Sequence, residues 1–136
     1  MVLGVAGVWN DRKGLYDFIE LSKILDTDEY VVVLIGLSEK LRKMLSKTAP
    51  NMIALPRTNS KAELAKYYSA ADVYINPSYE ETYGMTTAEA QACGTYSIVY
   101  KGTACAEVID TKNGEIVDAG PVNVAGAIVQ RFKKAN

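Results

Sequence analysis

Residues 30–36, YVVVLIG, constrain the fold more than any other part of the sequence. The run is almost continuously apolar and β-branched, with no polar residue at alternate positions. A strand with one wet face would alternate, so this one has to be covered on both faces. Similar short runs recur at 2–8 (VLGVAGV), 51–55 (NMIAL), 72–76 (DVYIN) and 96–100 (YSIVY), with a shorter one at 115–117 (EIV). Between them lie segments of helical character. Leu15, Phe18, Ile19, Ser22 and Leu25 fall at helical spacing. Ser38 reads as the N-cap of a helix to Lys47. Ser60-Lys61-Ala62-Glu63 has the form of a capping box and opens a helix to about Ala71. Residues 83–93 read as a helix stopped by Gly94, 104–109 as a short helix, and 122–134 as a terminal helix.

This alternation predicts an α/β fold: a doubly wound, mostly parallel sheet of about six strands with helices on both faces. A length of 136 residues suits one domain, 1–136. Right-handed crossovers leave few topologies, and the Rossmann-like strand order 3-2-1-4-5-6 is the first choice. Ligands in such sheets bind at the carboxyl ends of the strands, where the order reverses. Here that point lies between the first and fourth strands, flanked by loops 8–14 and 77–84.

Composition removes several kinds of chemistry. The chain has no histidine, which excludes Ser-His-Asp and Cys-His catalysis. Any acid or base must be a carboxylate, Lys, Tyr, or a group from another chain or domain. Cys93 and Cys105 are not spaced as a CxxC pair, so no Cys/His metal site is expected. Two thiols fit a reducing, cytoplasmic compartment, a single disulfide being the alternative. The net charge of −1 leaves no electrostatic footprint for nucleic acid. No apolar run approaches the ~20 residues of a membrane span, and the first residues, MVLG, do not read as a signal peptide.

Two loops carry candidate chemistry. The first, GVWNDRKG at 7–14, places Arg12 and Lys13 at a helix start, where a solvated cation gains nothing from the helix dipole. A bound phosphate would account for them; a solvated surface loop is the alternative. The spacing fits neither a Walker A loop nor GxGxxG. The second, NPSYEETYGMTTAEAQACG at 76–94, brings Gly84 close to a helix start, where the amides near Gly84, Met85 and Thr86 suit a phosphate. Glu89 lies roughly 7 Å further along the helix axis, and Glu81 precedes the helix. Ionised carboxylates accept from the paired hydroxyls of a sugar; helix capping by Glu81 and solvation of Glu89 is the alternative. Asp26-Thr27-Asp28 is a DxD, but it falls at the amino end of the sheet and reads as a helix-ending turn. Tyr16, Tyr67, Tyr68, Tyr74 and Tyr79 are scattered and read as packing residues.

Residues 71–94, ADVYINPSYEETYGMTTAEAQACG, resemble the signature of nucleotide-sugar-dependent glycosyltransferases of the GT-B fold, in the retaining, group 1 family with an E-x7-E motif. Glu81 and Glu89 occupy the two ends of that motif. RKGL at 12–15, VVVLIG at 31–36 and NGEIVD at 113–118 resemble further family segments, in order along the whole chain. The resemblance implies the C-terminal, donor-binding half of such an enzyme, acting in polysaccharide biosynthesis in the cytoplasm. It implies that Lys13 contacts the donor diphosphate and Glu81 the transferred sugar, as the catalytic carboxylate. It further implies that Tyr83, Gly84 and Met85 line sugar and phosphate through their amides. Glu89 would bind the ribose, and Pro56 and Arg57 would lie beside the nucleobase. No metal or other cofactor is implied. Gly7 is followed by Val8 where the family has a Gly-Arg pair, which makes Arg12 the candidate substitute. The partners implied are a nucleotide sugar and an N-terminal acceptor-binding domain that this chain lacks, so the lone domain is expected to have no turnover. The rival expectation is a scaffold domain without ligand binding, forming a homodimer through its exposed interdomain face.

Overall fold

The computed structural model describes residues 1–79 and 85–132, with Met85 described through its backbone alone. Among the described residues there are six strands: β1 (Val2–Val5), β2 (Val32–Ile35), β3 (Met52–Leu55), β4 (Val73–Asn76), β5 (Ser97–Tyr100) and β6 (Gly114–Val117). They form one sheet in the order β3-β2-β1-β4-β5-β6, and every neighbouring pair is parallel. The reversal falls between β1 and β4, as the sequence predicts. The helices are α1 (Leu15–Ile24), α2 (Glu39–Thr48), α3 (Lys61–Ala70), α4 (Met85–Ala92), α5 (Ala104–Val108) and α6 (Pro121–Phe132). None of them is long and apolar enough to cross a membrane.

The period-two alternation of the strands divides the core in two. On one face Val2, Leu34, Val73 and Ile75 pack with Phe18 and Leu21 of α1, Leu45 of α2, and Val124 and Ile128 of α6. On the other, Leu3, Val33, Ile35 and Tyr74 pack with Tyr68 of α3 and Ala90 of α4. Each fully buried Val, Leu, Ile or Phe among them gains roughly 1.5–3 kcal/mol on burial. This accounts for the continuous apolar runs: residues of both parities are buried, against different helices. Gly4 leaves room for Phe18, whose ring carbon Cζ would lie 2.4 Å from a β-carbon on that strand residue.

Local signals set most of the boundaries. Ser38 Oγ accepts from the Leu41 amide at 3.2 Å, and Ser60 Oγ from the Glu63 amide at 3.1 Å. The Glu63 carboxylate accepts from the Asn59 amide, one residue before the cap, so the reciprocal bond of a capping box is displaced by one position. Asp26 Oδ1 accepts from the Asp28 amide at 2.9 Å, and the Asp26 carbonyl from the amides of Glu29 and Tyr30. The DxD therefore closes the turn between α1 and β2.

The first strand is shorter than its apolar run. After the Ala6 amide bonds the Ile35 carbonyl, the chain turns and sends Trp9 into the core. Its indole stands edge-on to Phe18 at 5.6 Å and donates to the Ile35 carbonyl at 2.9 Å. Val8 is left 69% exposed. The expected helix over 83–93 is present as α4, and residues 80–84 lie outside the described residues.

A single 3-10 turn, Asp11–Lys13, leads into Gly14, the N-cap of α1. Gly14 has φ 86°, and a β-carbon there would sit 2.5 Å from the Pro77 carbonyl oxygen. Both the left-handed backbone and the close approach to the end of β4 require glycine. Gly14→Ala is expected to destabilise the chain by roughly 2–4 kcal/mol. Urea unfolding measures this, and an unchanged midpoint would refute the close approach.

Candidate functional site

The two connections leaving the β1–β4 reversal are stitched together by hydrogen bonds. The Arg12 carbonyl accepts from the Tyr79 amide at 2.8 Å and from Ser78 Oγ at 3.2 Å. Asn10 Oδ1 accepts from the Lys13 amide at 3.1 Å, which holds the 3-10 turn. Between β1 and β4 this leaves a crevice of about 80 Å³, lined among others by Gly7, Trp9, Lys13, Asn76 and Thr86. Beside it, over the carboxyl ends of β1, β2 and β3, lies a cleft of about 350 Å³. Arg57, Asn59, Ser60, Lys61 and Thr86 line it. Val5, Ala6, Gly7 and Thr86 belong to both, so the two spaces adjoin.

The electrostatics of this combined cleft favour an anion. Lys13, Arg57 and Lys61 line it, and no carboxylate does among the described residues, in a chain whose net charge is −1. The starts of α3 and α4 both open onto it, through Ser60, Lys61 and Thr86. Helix starts present N–H groups and the positive end of the dipole. The Arg57 guanidinium donates to the Gly7 carbonyl at 3.2 Å, joining the end of β3 to the end of β1.

Glu89 is exposed on α4, three residues after Thr86 and so on the same helix face. Beneath α4 lie two buried tyrosines packed edge-on, Tyr68 of α3 and Tyr74 of β4, with ring centres 5.7 Å apart. The Tyr68 hydroxyl donates to Glu89 Oε2 at 3.4 Å, and the Tyr74 hydroxyl to Thr86 Oγ1 at 2.6 Å. Burial pushes the Tyr68 phenol pKa up, and the neighbouring Tyr74 and the Glu89 carboxylate push it further. Tyr68 is therefore a neutral donor to Glu89. Asn76 Nδ2 donates to Thr87 Oγ1 at 3.1 Å, tying the start of α4 to the end of β4.

Of the residues expected from the sequence, Lys13 and Arg57 line the adjoining spaces, and Pro56 is exposed next to Arg57. The backbone carbonyl of Arg12 anchors Ser78 and Tyr79. Met85 is the first residue of α4, next to Thr86 of the cleft wall. Glu81, Tyr83 and Gly84 lie outside the described residues. Lys61 escaped the sequence reading as a site residue, while Thr86, singled out there for its amide, lines both spaces. The signal for Lys61 was the capping box at Ser60, which fixes a helix start directly after β3.

A second polar cluster stands behind the Lys13 turn. Asp17, only 6% exposed, accepts through Oδ2 from the hydroxyls of Tyr79 and Tyr100, each at 2.5 Å. Burial first, then the bond to Asp17, raises the Tyr79 pKa from 10.0 to about 12. The same causes in the same order push Tyr100 upward. A larger space, about 600 Å³, opens at the amino ends of the strands beside Met1, Tyr30 and Phe132. It lies at the amino ends of β1 and β4, opposite the carboxyl ends where such sheets bind ligands, and size alone does not make it the site.

The raised tyrosine pKa values have a consequence for stability. Folded-state values above the unfolded value of ~10 favour the protein fully below that pH, and the contribution is lost as pH rises through the folded values. Unfolding is therefore expected to begin between pH 10 and about 12, together with ionisation of Tyr79. Absorbance at 295 nm and far-UV circular dichroism should change together. Ionisation of every tyrosine in a chain that stays folded would refute the buried hydroxyl network.

With this geometry in place, comparisons with known proteins are informative. The family described as glycosyl transferases group 1 matches residues 1–134. A D-inositol 3-phosphate glycosyltransferase of Xylanimonas cellulosilytica is 44% identical over 59 residues, which are 43% of this chain and 14% of that protein. The solved C-terminal domain of a group 1 family glycosyl transferase from Francisella tularensis aligns with 98% of this chain and 75% of its own, with a TM-score of 0.79 at 21% identity. The Anabaena HepE protein, solved in complex with UDP-glucose, aligns with 97% of this chain and 39% of its own, with a TM-score of 0.77 at 17% identity. The last two share the fold. The match to the curated relative spans about a seventh of that relative's length.

Proposed function

We infer function from one premise: the chain belongs to the glycosyl transferases of group 1. Its sheet is the Rossmann-like half of a GT-B fold. The reading we propose is a domain that binds a nucleoside-diphosphate sugar for glycosyl transfer with retention of configuration. The observation that carries it is the cleft at the β1–β4 reversal, lined by cations and, among the described residues, by no carboxylate, and opened by two helix starts. A diphosphate there would meet Lys13 and the start of α4, and the nucleoside would extend toward Arg57 and the start of α3. Glu89, an exposed acceptor on the helix that begins at the diphosphate, would take the ribose hydroxyls.

The chemistry follows from that placement. The bond between the anomeric carbon and the diphosphate oxygen breaks, and an acceptor hydroxyl oxygen takes its place. Negative charge grows on the departing diphosphate, and preorganised donors aimed at that charge lower the barrier. Lys13 and the N–H groups of α4 supply them without a bound cation. Glu81, by its E-x7-E position, would hold the transferred sugar. UDP is the first nucleotide to test, since HepE was solved with UDP-glucose. An acceptor-binding domain beyond this chain would complete the reaction, and a cytoplasmic setting suits two thiols and a nucleotide-sugar donor.

Titration calorimetry with UDP, GDP and their sugars tests the reading. A uracil or guanine nucleotide should bind, and Lys13→Ala and Glu89→Ala should each weaken it roughly tenfold, about 1.4 kcal/mol. The chain alone should transfer no sugar to an acceptor. Absence of binding at millimolar concentration would leave a bare scaffold, and turnover by the lone chain would overturn the need for a second domain.

A further inference from the structure

The donor reading has no use for Asp17, although it is a buried carboxylate with two of the shortest hydrogen bonds in the structure. It is the third residue of α1, where a carboxylate ordinarily serves the first amides of its own helix. Here Oδ2 accepts from two phenol hydroxyls instead, that of Tyr79 after β4 and that of Tyr100 at the end of β5. We propose that Asp17 is a positioning residue: with Tyr79 and Tyr100 it braces the Lys13 turn against the end of β4 across the strand reversal. The inference rests on the donor reading for its functional meaning.

Tyr79 grips the turn at both ends. Its amide donates to the Arg12 carbonyl at 2.8 Å, and its hydroxyl donates to Asp17 at 2.5 Å. Lys13 lies between those two attachment points. Tyr100 fixes the same carboxylate to the sheet, and its ring lies 5.3 Å from that of Tyr79. The brace thus joins α1, the segment after β4, and β5. Charge-assisted hydroxyl–carboxylate bonds are directional and stronger than neutral ones. A buried acceptor left without them is costly, so the turn has one favoured placement. Replacing a buried charged cluster by apolar residues of similar volume is often neutral for stability. What a carboxylate with two phenols adds is a fixed geometry, and the element fixed is the turn that carries Lys13. Holding a charged group ready for its ligand lowers the ordering cost of binding.

Tyr79→Phe is the informative variant, because Tyr79 is 47% exposed and its loss leaves the core filled. UDP affinity is measured for the unmodified chain, Tyr79→Phe, Lys13→Ala and the double variant. Tyr79→Phe should weaken binding roughly three- to tenfold, and should cost less than about twofold once Lys13 is alanine, since the brace acts through that lysine. Full additivity, or unchanged affinity in Tyr79→Phe, overturns the inference. Amide hydrogen exchange without ligand gives a second reading. The amides of Lys13 and Leu15, both bonded to the Asn10 carbonyl, should exchange at least several-fold faster in Tyr79→Phe and in Tyr100→Phe, and unchanged rates overturn the brace. If the unmodified chain binds no nucleotide, the donor reading fails by itself, and the exchange rates still decide whether the brace exists.

Discussion

Everything at the site depends on β1 pairing with β2 on one side and β4 on the other. The connections from β1 and β4 leave toward opposite faces of the sheet, since α1 packs in one core layer and α4 in the other. Nothing in the sheet can fill the gap between them, so a crevice at their carboxyl ends is a consequence of topology. What the sequence controls is how closely the walls approach. Gly14 lets the start of α1 touch Pro77, and the Arg12 carbonyl collects two donors from Ser78 and Tyr79. The crevice is therefore narrow and defined on one side, and opens on the other toward β2 and β3.

That asymmetry sorts the charges. The open side carries Arg57 and Lys61, and the narrow side Lys13. Each stands near a helix start, where the dipole repels a cation unless an anion lies between them. An anion bound in the cleft would make all three placements favourable. The cleft and the family match therefore point the same way from independent grounds, one from charge placement and one from sequence.

The strand order was legible because burial on both faces removes alternation: YVVVLIG could only be an interior strand. The helix starts at Ser38 and Ser60 were legible because capping is local. Other features depend on contacts too distant in sequence to leave a local trace. The end of β1 is hidden in an apolar run because Val8 continues the pattern while Trp9, two residues beyond Gly7, takes the buried place. The tyrosines show the limit most clearly. Reading Tyr68 and Tyr74 as packing is right for their rings, yet their hydroxyls reach Glu89 and Thr86 on α4. Asp17 stands in the first turn of α1, where acidic residues are common, and its partners lie 62 and 83 positions away. Hydroxyl partners across such separations are set by the fold alone.

These hydroxyl contacts bear on how a sheet with generic topology becomes a particular site. Rossmann-like sheets supply a crevice whatever their ligand, so specificity must come from side chains whose directions are fixed. On α4 those directions are set from below by Tyr68, Tyr74 and Asn76, which engage Glu89, Thr86 and Thr87. Behind the Lys13 turn they are set by Asp17. Both supports are polar, buried and satisfied, and among the described residues no buried side-chain polar atom lacks a partner. A satisfied polar network rigidifies where an apolar contact would only fill space. The two walls of the cleft are thus held by two separate networks, one beneath each helix start. Rigid walls favour binding a ligand of one shape.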